Sequence, residues 1–225
     1  MELTAGGRSA EPEMISGLAG RLAPAHCALL IIDMQKDFCT PGFGAERAGR
    51  DLSAAKAATP VISSLLASAR KSGVRVAHVG FSTLPDHASD SGPWLAQRRR
   101  ASFSADNLCI TGTEGAGFID ELAPATGEWV VAKHRYSAFT GTDLDLLLRS
   151  RGVRTVVITG VSTNACVEST LRAAFDLDYY VCVPPDGVGS WDRGLHEATL
   201  ANVNHRFGLT PMAADICTIW EGSPQ

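Results

Sequence analysis

No stretch of the 225-residue chain reaches the roughly 18 consecutive apolar residues that a membrane-spanning helix needs. The N-terminus also lacks a basic region followed by an apolar one, so neither an anchor nor a secretory leader is expected and the protein is expected in the cytoplasm. Charge of one dominant sign is missing too. Twenty Lys and Arg stand against 24 Asp and Glu, a formal net charge of -4. That balance creates no long-range field for nucleic acid or an anionic membrane, and neither is an expected partner. The one basic cluster, Arg98, Arg99 and Arg100, reads as a solvated surface face; the alternative is that one of these arginines reaches a carboxylate on a small substrate.

The six cysteines include no close C-x-x-C pair, which argues against a disulfide framework and for reduced thiols. Cys27, Cys182 and Cys217 lie inside apolar runs, where a free thiol acts as a small hydrophobe, and Cys39 and Cys109 fall near turn signals with no assigned role. A dinucleotide fingerprint is absent, because Gly160-Val161-Ser162-Thr163 does not supply the G-x-G-x-x-G spacing. Nothing in the sequence resembles an interdomain linker. Residues 1–20, rich in Gly, Ser, Ala and Glu without periodicity, are expected to form a flexible arm, and residues 21–225 a single domain.

What is present is an alternation of short apolar runs and helical patterns. Cys27 to Ile32 reads as a strand buried on both faces, followed by a helix over Asp51 to Ser72 and a strand over Val74 to Phe81. Further strands are expected at Trp129–Ala132, Thr155–Thr159, Tyr179–Val183 and Ile216–Trp220, with helices over Asp143–Arg151, Asn164–Asp176 and Asp192–Arg206. Residues 82–117 lose periodicity apart from a short helix near Trp94 to Arg100, and form the candidate substrate-covering segment. Such alternation predicts an α/β fold with a six-stranded, mostly parallel sheet and helices on both faces, whose active site gathers at the carboxyl ends of the strands.

Three reactive side chains stand at those ends. Asp33 follows the first strand, Lys133 the third, and Cys166 lies just past the fourth at the start of a helix. Taken singly, each has an ordinary reading: a turn former, an exposed lysine, a core cysteine. Taken together, a carboxylate, an ammonium and a thiol share one sheet edge. A helix N-terminus and a nearby cation would stabilise the Cys166 thiolate, Asp33 would take the thiol proton and return it to a leaving amine, and Lys133 would orient the pair. The turn from Gly160 to Cys166 presents backbone N–H groups of Ala165 and Cys166 to a developing oxyanion, or is simply a helix start capped by Thr163 or Asn164.

Three segments carry a resemblance. Ile32-Asp33-Met34-Gln35-Lys36-Asp37-Phe38, Lys133-His134-Arg135-Tyr136-Ser137-Ala138-Phe139 and Gly160 to Thr170 resemble, in order, the signatures of isochorismatase-like cysteine hydrolases. The resemblance implies a three-layer α/β/α sandwich with a Rossmann-like central sheet, a catalytic triad of Asp33, Lys133 and Cys166, and a cis peptide joining Val161 to Ser162 beside the Ala165 oxyanion donor. It also puts Gln35 and Phe38 near the substrate, with Tyr136 and Phe139 of the second motif as further candidates. Homodimers or homotetramers are expected on the same ground.

Cys166 argues for amide chemistry within that family, since isochorismatase proper lacks the cysteine. Nicotinamidases carry metal ligands after the second strand; here Asp86 and His87 are adjacent, so no metal and no cofactor are expected. The second motif, with Gly141-Thr142-Asp143-Leu144-Asp145, is most similar to the branch of ureidoacrylate amidohydrolases, biuret hydrolases and N-carbamoylsarcosine amidases. The expected substrate is therefore a small amide or ureido compound. Two alternatives remain: a larger natural-product amide or lactam in a pocket lined by Trp94 and Trp191, or a ligand binder without turnover.

Overall fold

In the computed structural model, residues 11–100 and 107–222 are described. Strands β1 (Cys27–Ile32), β2 (Arg75–Phe81), β3 (Trp129–Lys133), β4 (Thr155–Val161), β5 (Tyr180–Cys182), β6 (Val188–Gly189) and β7 (Gly208–Leu209) form one sheet in the order β3-β2-β1-β4-β5-β7, with β6 pairing β4. Every strand pair is parallel. The helices in chain order are α1 (Gly17–Arg21), α2 (Lys36–Cys39), α3 (Gly44–Arg47), α4 (Ser53–Lys71), α5 (Gly92–Arg100), α6 (Leu144–Ser150), α7 (Glu168–Asp176), α8 (Arg193–Asn202) and α9 (Ala213–Gly222).

Successive strand residues point to opposite faces, and the core divides accordingly. Leu29, Ile31, Val76 and Val157 pack with Ile62 and Leu65 of α4 and Ile216 and Trp220 of α9. Ala28, Leu30, Ile32, Val156 and Ile158 pack on the other side with Leu144 and Leu148 of α6 and Leu171 and Ala174 of α7. This is the expected three-layer α/β/α sandwich, and both faces of β1 and β4 are fully covered.

The sheet has seven strands rather than six, and the expected last strand is a helix. Ile216–Trp220 lies within α9, where Ile216 and Trp220, four residues apart, share the buried face and the Trp220 indole N–H donates to the Leu22 carbonyl at 3.0 Å. A five-residue apolar run carries no period long enough to separate strand from helix. The outer edge of the sheet is instead the two-residue β7. Of the expected N-terminal arm, residues 1–10 lie outside the described residues; beyond them Ile15 N–H donates to the Tyr180 hydroxyl at 2.9 Å and α1 begins at Gly17.

The chain winds from β1 outward to β2 and β3, then returns to β4 on the other side of β1. The crevice of such a sheet opens where the winding direction reverses, between β1 and β4. There the two backbones approach so closely that a Cβ on Gly160 would lie 2.0 Å from the Ile32 carbonyl oxygen, so only glycine fits.

At the opposite flank, a polar knot ties α4 to the β2–β3 edge. Glu128 accepts from Arg70 Nε at 2.7 Å and Ala125 N–H at 2.7 Å, and its Oε2 lies 2.9 Å from His78 Nε2. Burial pushes this carboxyl up, but Arg70, the Ala125 N–H and His78 together outweigh it and hold Glu128 down at about 2. A depressed acid stabilises the fold above its unfolded pKa, and that contribution fades as pH falls from about 4.5 toward 2. Glu128→Gln is accordingly expected to lower Tm at pH 6 to 7, with the gap from the parent protein closing across that acidic window; a gap independent of pH would contradict this.

Candidate active site

Asp33 is the first residue beyond β1 and adopts the left-handed backbone region, φ 53°, while its N–H extends the ladder to the Val79 carbonyl at 2.8 Å. The turn drives the carboxylate into the crevice, where it is 1% exposed. Lys133 closes β3, two strands away, and its side chain runs across the end of β2 with Nζ 5.0 Å from the centroid of the Phe81 ring. Cys166 sits in a π-helical turn, Thr163–Val167, that joins β4 to α7.

The three meet. Lys133 Nζ donates to Asp33 Oδ2 at 2.8 Å, to Cys166 Sγ at 3.2 Å and to the Arg135 carbonyl at 3.3 Å. An ammonium has three protons, and here each has an acceptor, so the fully buried lysine is satisfied and fixed in orientation. Asp33 Oδ1 is buried without a hydrogen-bond partner, a free acceptor in the crevice.

The electrostatics differ from the sequence expectation. Burial and the neighbouring Asp33 carboxylate push the Cys166 thiol well above its ordinary range, and Lys133 offsets only part of this. Burial raises Asp33 as well, against the pull of Lys133; burial lowers Lys133, but Asp33 and Cys166 outweigh it and the net shift is upward. Burial and Asp33 thus favour the neutral form of the Cys166 thiol, against the thiolate stabilisation expected from a helix N-terminus and a cation.

The turn carrying Cys166 is held from behind. The Val161–Ser162 peptide is cis. Asn164 Oδ1 accepts from Ser162 Oγ at 2.7 Å and Ser190 Oγ at 2.6 Å, and Thr163 Oγ1 lies 2.9 Å from His196 Nδ1 on α8. Thr170 Oγ1 donates to the Cys166 carbonyl at 2.7 Å and accepts from Ala138 N–H at 3.0 Å, tying the start of α7 to the loop after Lys133. Ala165 N–H, named as an oxyanion donor, is engaged with the Ser162 carbonyl at 3.0 Å.

A cavity of about 220 Å³ opens beside Asp33 and Cys166, with Val161, Ser162 and Ala165 on its inner wall. An unbroken aromatic series borders it: Trp191, Phe38, Phe81, Trp94 and Tyr136 follow one another at centroid separations of 6.2, 6.5, 6.2 and 4.7 Å. Phe38 and Tyr136 thus line the cavity, and so do Trp94 and Trp191.

Gln35 and Phe139 do not. Gln35 is a brace: its Nε2 donates to the carbonyls of Phe81 at 2.9 Å and Ala116 at 2.7 Å, and its Oε1 accepts from Phe81 N–H at 2.7 Å. With both ends of its amide engaged it has no free group for a ligand. Phe139 packs against the α6–α7 side of the core, stacked on Tyr179 at 5.9 Å. Nor is the basic cluster uniformly solvated: Arg99 and Arg100 are exposed, but Arg98 is buried and lines the cavity.

Arg50, Phe81, Gln97 and Leu108 line the cavity without having been singled out in the sequence. Phe81 ends β2, so the strand-end rule that selects Asp33 and Lys133 reaches it as well. The adjacent Asp86 and His87 lie in a tight turn, and His87 Nδ1 is 2.9 Å from Asp90 Oδ2. Among the described residues no group of three or more His, Cys, Asp or Glu side chains is arranged as metal ligands.

The isochorismatase domain family matches residues 27–215, most of the chain and all the elements that build this crevice. The chain belongs to the isochorismatase family. It is 34% identical over 220 residues to a ureidoacrylate amidohydrolase from Agrobacterium fabrum, covering 93% of this chain and 94% of that protein. Among solved structures, a cysteine hydrolase from Pseudomonas syringae pv. phaseolicola superposes with a TM-score of 0.80 at 25% identity, covering 94% of this chain and 99% of the other. N-carbamoylsarcosine amidase from Thermoplasma acidophilum gives a TM-score of 0.66 at 26% identity over 83% of this chain and 96% of its own.

Proposed function

We propose that this isochorismatase-family hydrolase cleaves a carbamoyl, ureido or amide C–N bond of a small molecule through a thioester on Cys166, without a metal. The observation that carries this reading is the simultaneous bonding of one buried ammonium to Asp33 and Cys166 at the wall of the cavity. Burying an ion pair beside a nucleophile costs desolvation energy that a packed apolar core would not, and a non-catalytic binder gains nothing from it. The likeness to a ureidoacrylate amidohydrolase and to N-carbamoylsarcosine amidase supports a carbamoyl-type substrate.

The chemistry follows from the protonation states. As Cys166 Sγ attacks the carbonyl carbon, the thiol proton passes to Asp33, whose Oδ1 is free to accept it. Lys133 keeps its proton and stabilises the sulfur as it becomes anionic. The tetrahedral oxyanion forms against the turn of Val161, Ser162 and Ala165, with the Ala165 N–H shared between it and the Ser162 carbonyl. Asp33 then protonates the leaving nitrogen, the C–N bond breaks, and ammonia or an amine departs. Water, deprotonated by Asp33, attacks the thioester, and the thiol regains its proton.

The cavity volume favours a small substrate over a larger natural-product amide, since pockets for drug-sized ligands run from about 300 Å³ upward. A kinetic panel of ureidoacrylate, N-carbamoyl amino acids, simple primary amides and a lactam, scored by ammonia or amine release, tests the reading. Ureido and carbamoyl compounds are expected to give the highest kcat/KM; a preference for the lactam, or no release from any of them, would contradict it.

A further inference from the structure

Asp37 carries a buried carboxylate that the chemistry above does not use. It stands on α2, just after Asp33 and Gln35, and is 4% exposed. A carboxylate this deep persists where hydrogen bonds replace its water. Oδ1 accepts from Gly44 N–H at 3.0 Å and Oδ2 from Cys109 N–H at 2.7 Å, and Arg47 Nη2 stands 4.0 Å from Oδ1. Two glycines make room for it. A Cβ on Gly115 would lie 2.3 Å from Oδ2, 2.4 Å from Cγ and 2.5 Å from Oδ1, and a Cβ on Gly44 would lie 2.9 Å from Oδ1 and 2.1 Å from Leu108 Cδ2. Asp has a short stem and both oxygens are engaged, so the carboxylate cannot step aside for either methyl.

The segment held by this carboxylate is a wall of the cavity, lined there by Leu108. On its other flank the same segment is bridged to Thr83, whose N–H donates to the Cys109 carbonyl at 2.9 Å and whose Oγ1 donates to the Leu108 carbonyl at 2.9 Å. Cys109 has φ 53°, a left-handed backbone that residues other than Gly, Asn and Asp seldom adopt, and the Asp37 bond to its N–H holds it there. Losing Asp37 therefore leaves the wall attached to Thr83 but detached from α2. Asp33, Lys133 and Cys166 keep their own anchors, at the ends of β1 and β3 and in the turn after β4.

We propose that Asp37 is a positioning residue that sets the size limit of the cavity: by fixing the Leu108 wall it makes the enzyme prefer small ureido or amide substrates over bulky ones. This rests on the reading of Cys166 as the nucleophile of an amidohydrolase. No reaction step passes through Asp37, so its loss acts on KM more than on kcat.

Two size ratios test this. One is kcat/KM for N-carbamoylphenylalanine relative to N-carbamoylglycine. The other needs no substrate: the rate at which N-phenylmaleimide labels Cys166 relative to iodoacetamide, read by peptide mapping. In Asp37→Ala both ratios should move toward the bulkier compound by at least about tenfold, since an apolar pocket discriminates a single methylene by about 10- to 200-fold. The change in the first ratio should lie in KM. Asp37→Asn keeps one acceptor for the two N–H groups and should fall between Asp37→Ala and the parent. Gly115→Ala should reproduce the shift with Asp37 still present, yet add little to Asp37→Ala, because its methyl then enters vacated space. Should Asp37→Ala fail to fold, Asp37→Asn and Gly115→Ala carry both ratios. Ratios unchanged in the folded variants, a loss confined to kcat, or additive effects of Asp37→Ala and Gly115→Ala overturn the proposal. If the labelling ratio shifts but the parent hydrolyses neither carbamoyl compound, the positioning role stands and the amidohydrolase reading fails.

Discussion

Replacing Asp33 by Asn is expected to lower kcat about 10²- to 10⁴-fold, the range for losing a general base, and yet to make Cys166 easier to alkylate. The two effects separate because Asp33 does two things to the sulfur. In the proposed mechanism its free oxygen takes the thiol proton during attack, while its negative charge favours the protonated thiol at rest. Asn is the appropriate probe, since it tolerates the left-handed backbone at this position where most residues are strained. With the carboxylate gone and Lys133 still beside the sulfur, the thiol pKa falls, and the pH at which iodoacetamide labelling of Cys166 reaches half its maximal rate should move down. Turnover and labelling that fall together would instead mean that Asp33 only holds the crevice in shape.

Lys133→Met carries the largest expected effect on stability. Removing one partner of a buried pair leaves the other charge uncompensated, at a cost of about 3 to 5 kcal/mol, a large share of the roughly 5 to 15 kcal/mol by which a domain is stable. Asp33 and Lys133 are 1% and 0% exposed, so solvent gives little relief. The cost has a pH signature. Asp33 is already raised by burial, and without Lys133 it rises further. A raised acid loses stability as pH climbs from its unfolded value, about 3.8, up to its folded value. Urea midpoints of Lys133→Met should therefore approach those of the parent protein at acidic pH and fall away toward neutrality. Adding Asp33→Asn to Lys133→Met should recover most of the stability at neutral pH and none of the activity. A single variant as stable as the parent at neutral pH would show that the pair is not electrostatically coupled in the way its 2.8 Å contact implies.

The parts of this site that sequence reading reaches are those fixed by one strand at a time. Asp33 and Lys133 end apolar runs, and Cys166 follows one; in a parallel sheet such ends share an edge, so their meeting follows from local pattern plus topology. The same logic reaches Phe81. Arg50, Gln97 and Leu108 come from turns and from α5, whose position depends on long-range ties such as Asp37 to Cys109 and Gln35 to Phe81, and no periodicity records those ties.

Gln35 shows a different limit. It lies two residues from Asp33 within the first motif, and the family resemblance implied a place near the substrate. Its amide is in fact consumed by the backbone of Phe81 and Ala116. The state of the thiol was equally hidden, since a cation and a helix start are visible in sequence whereas full burial, the largest influence on Cys166, is a property of the folded chain. At the C-terminal end, Ile216 to Trp220 is too short an apolar run to declare its period, and packing against α4 decides it as a helix.

The central claim is that bond cleavage passes through Cys166. Acid quenching during the first turnover with ureidoacrylate, followed by peptide mass mapping, tests it most directly. The account predicts a substrate-derived acyl or carbamoyl group on the peptide containing Cys166 and on no other cysteine peptide, appearing before the hydrolysed product accumulates. Product formed in that first turnover with Cys166 unmodified, or with the adduct on a different residue, would contradict it.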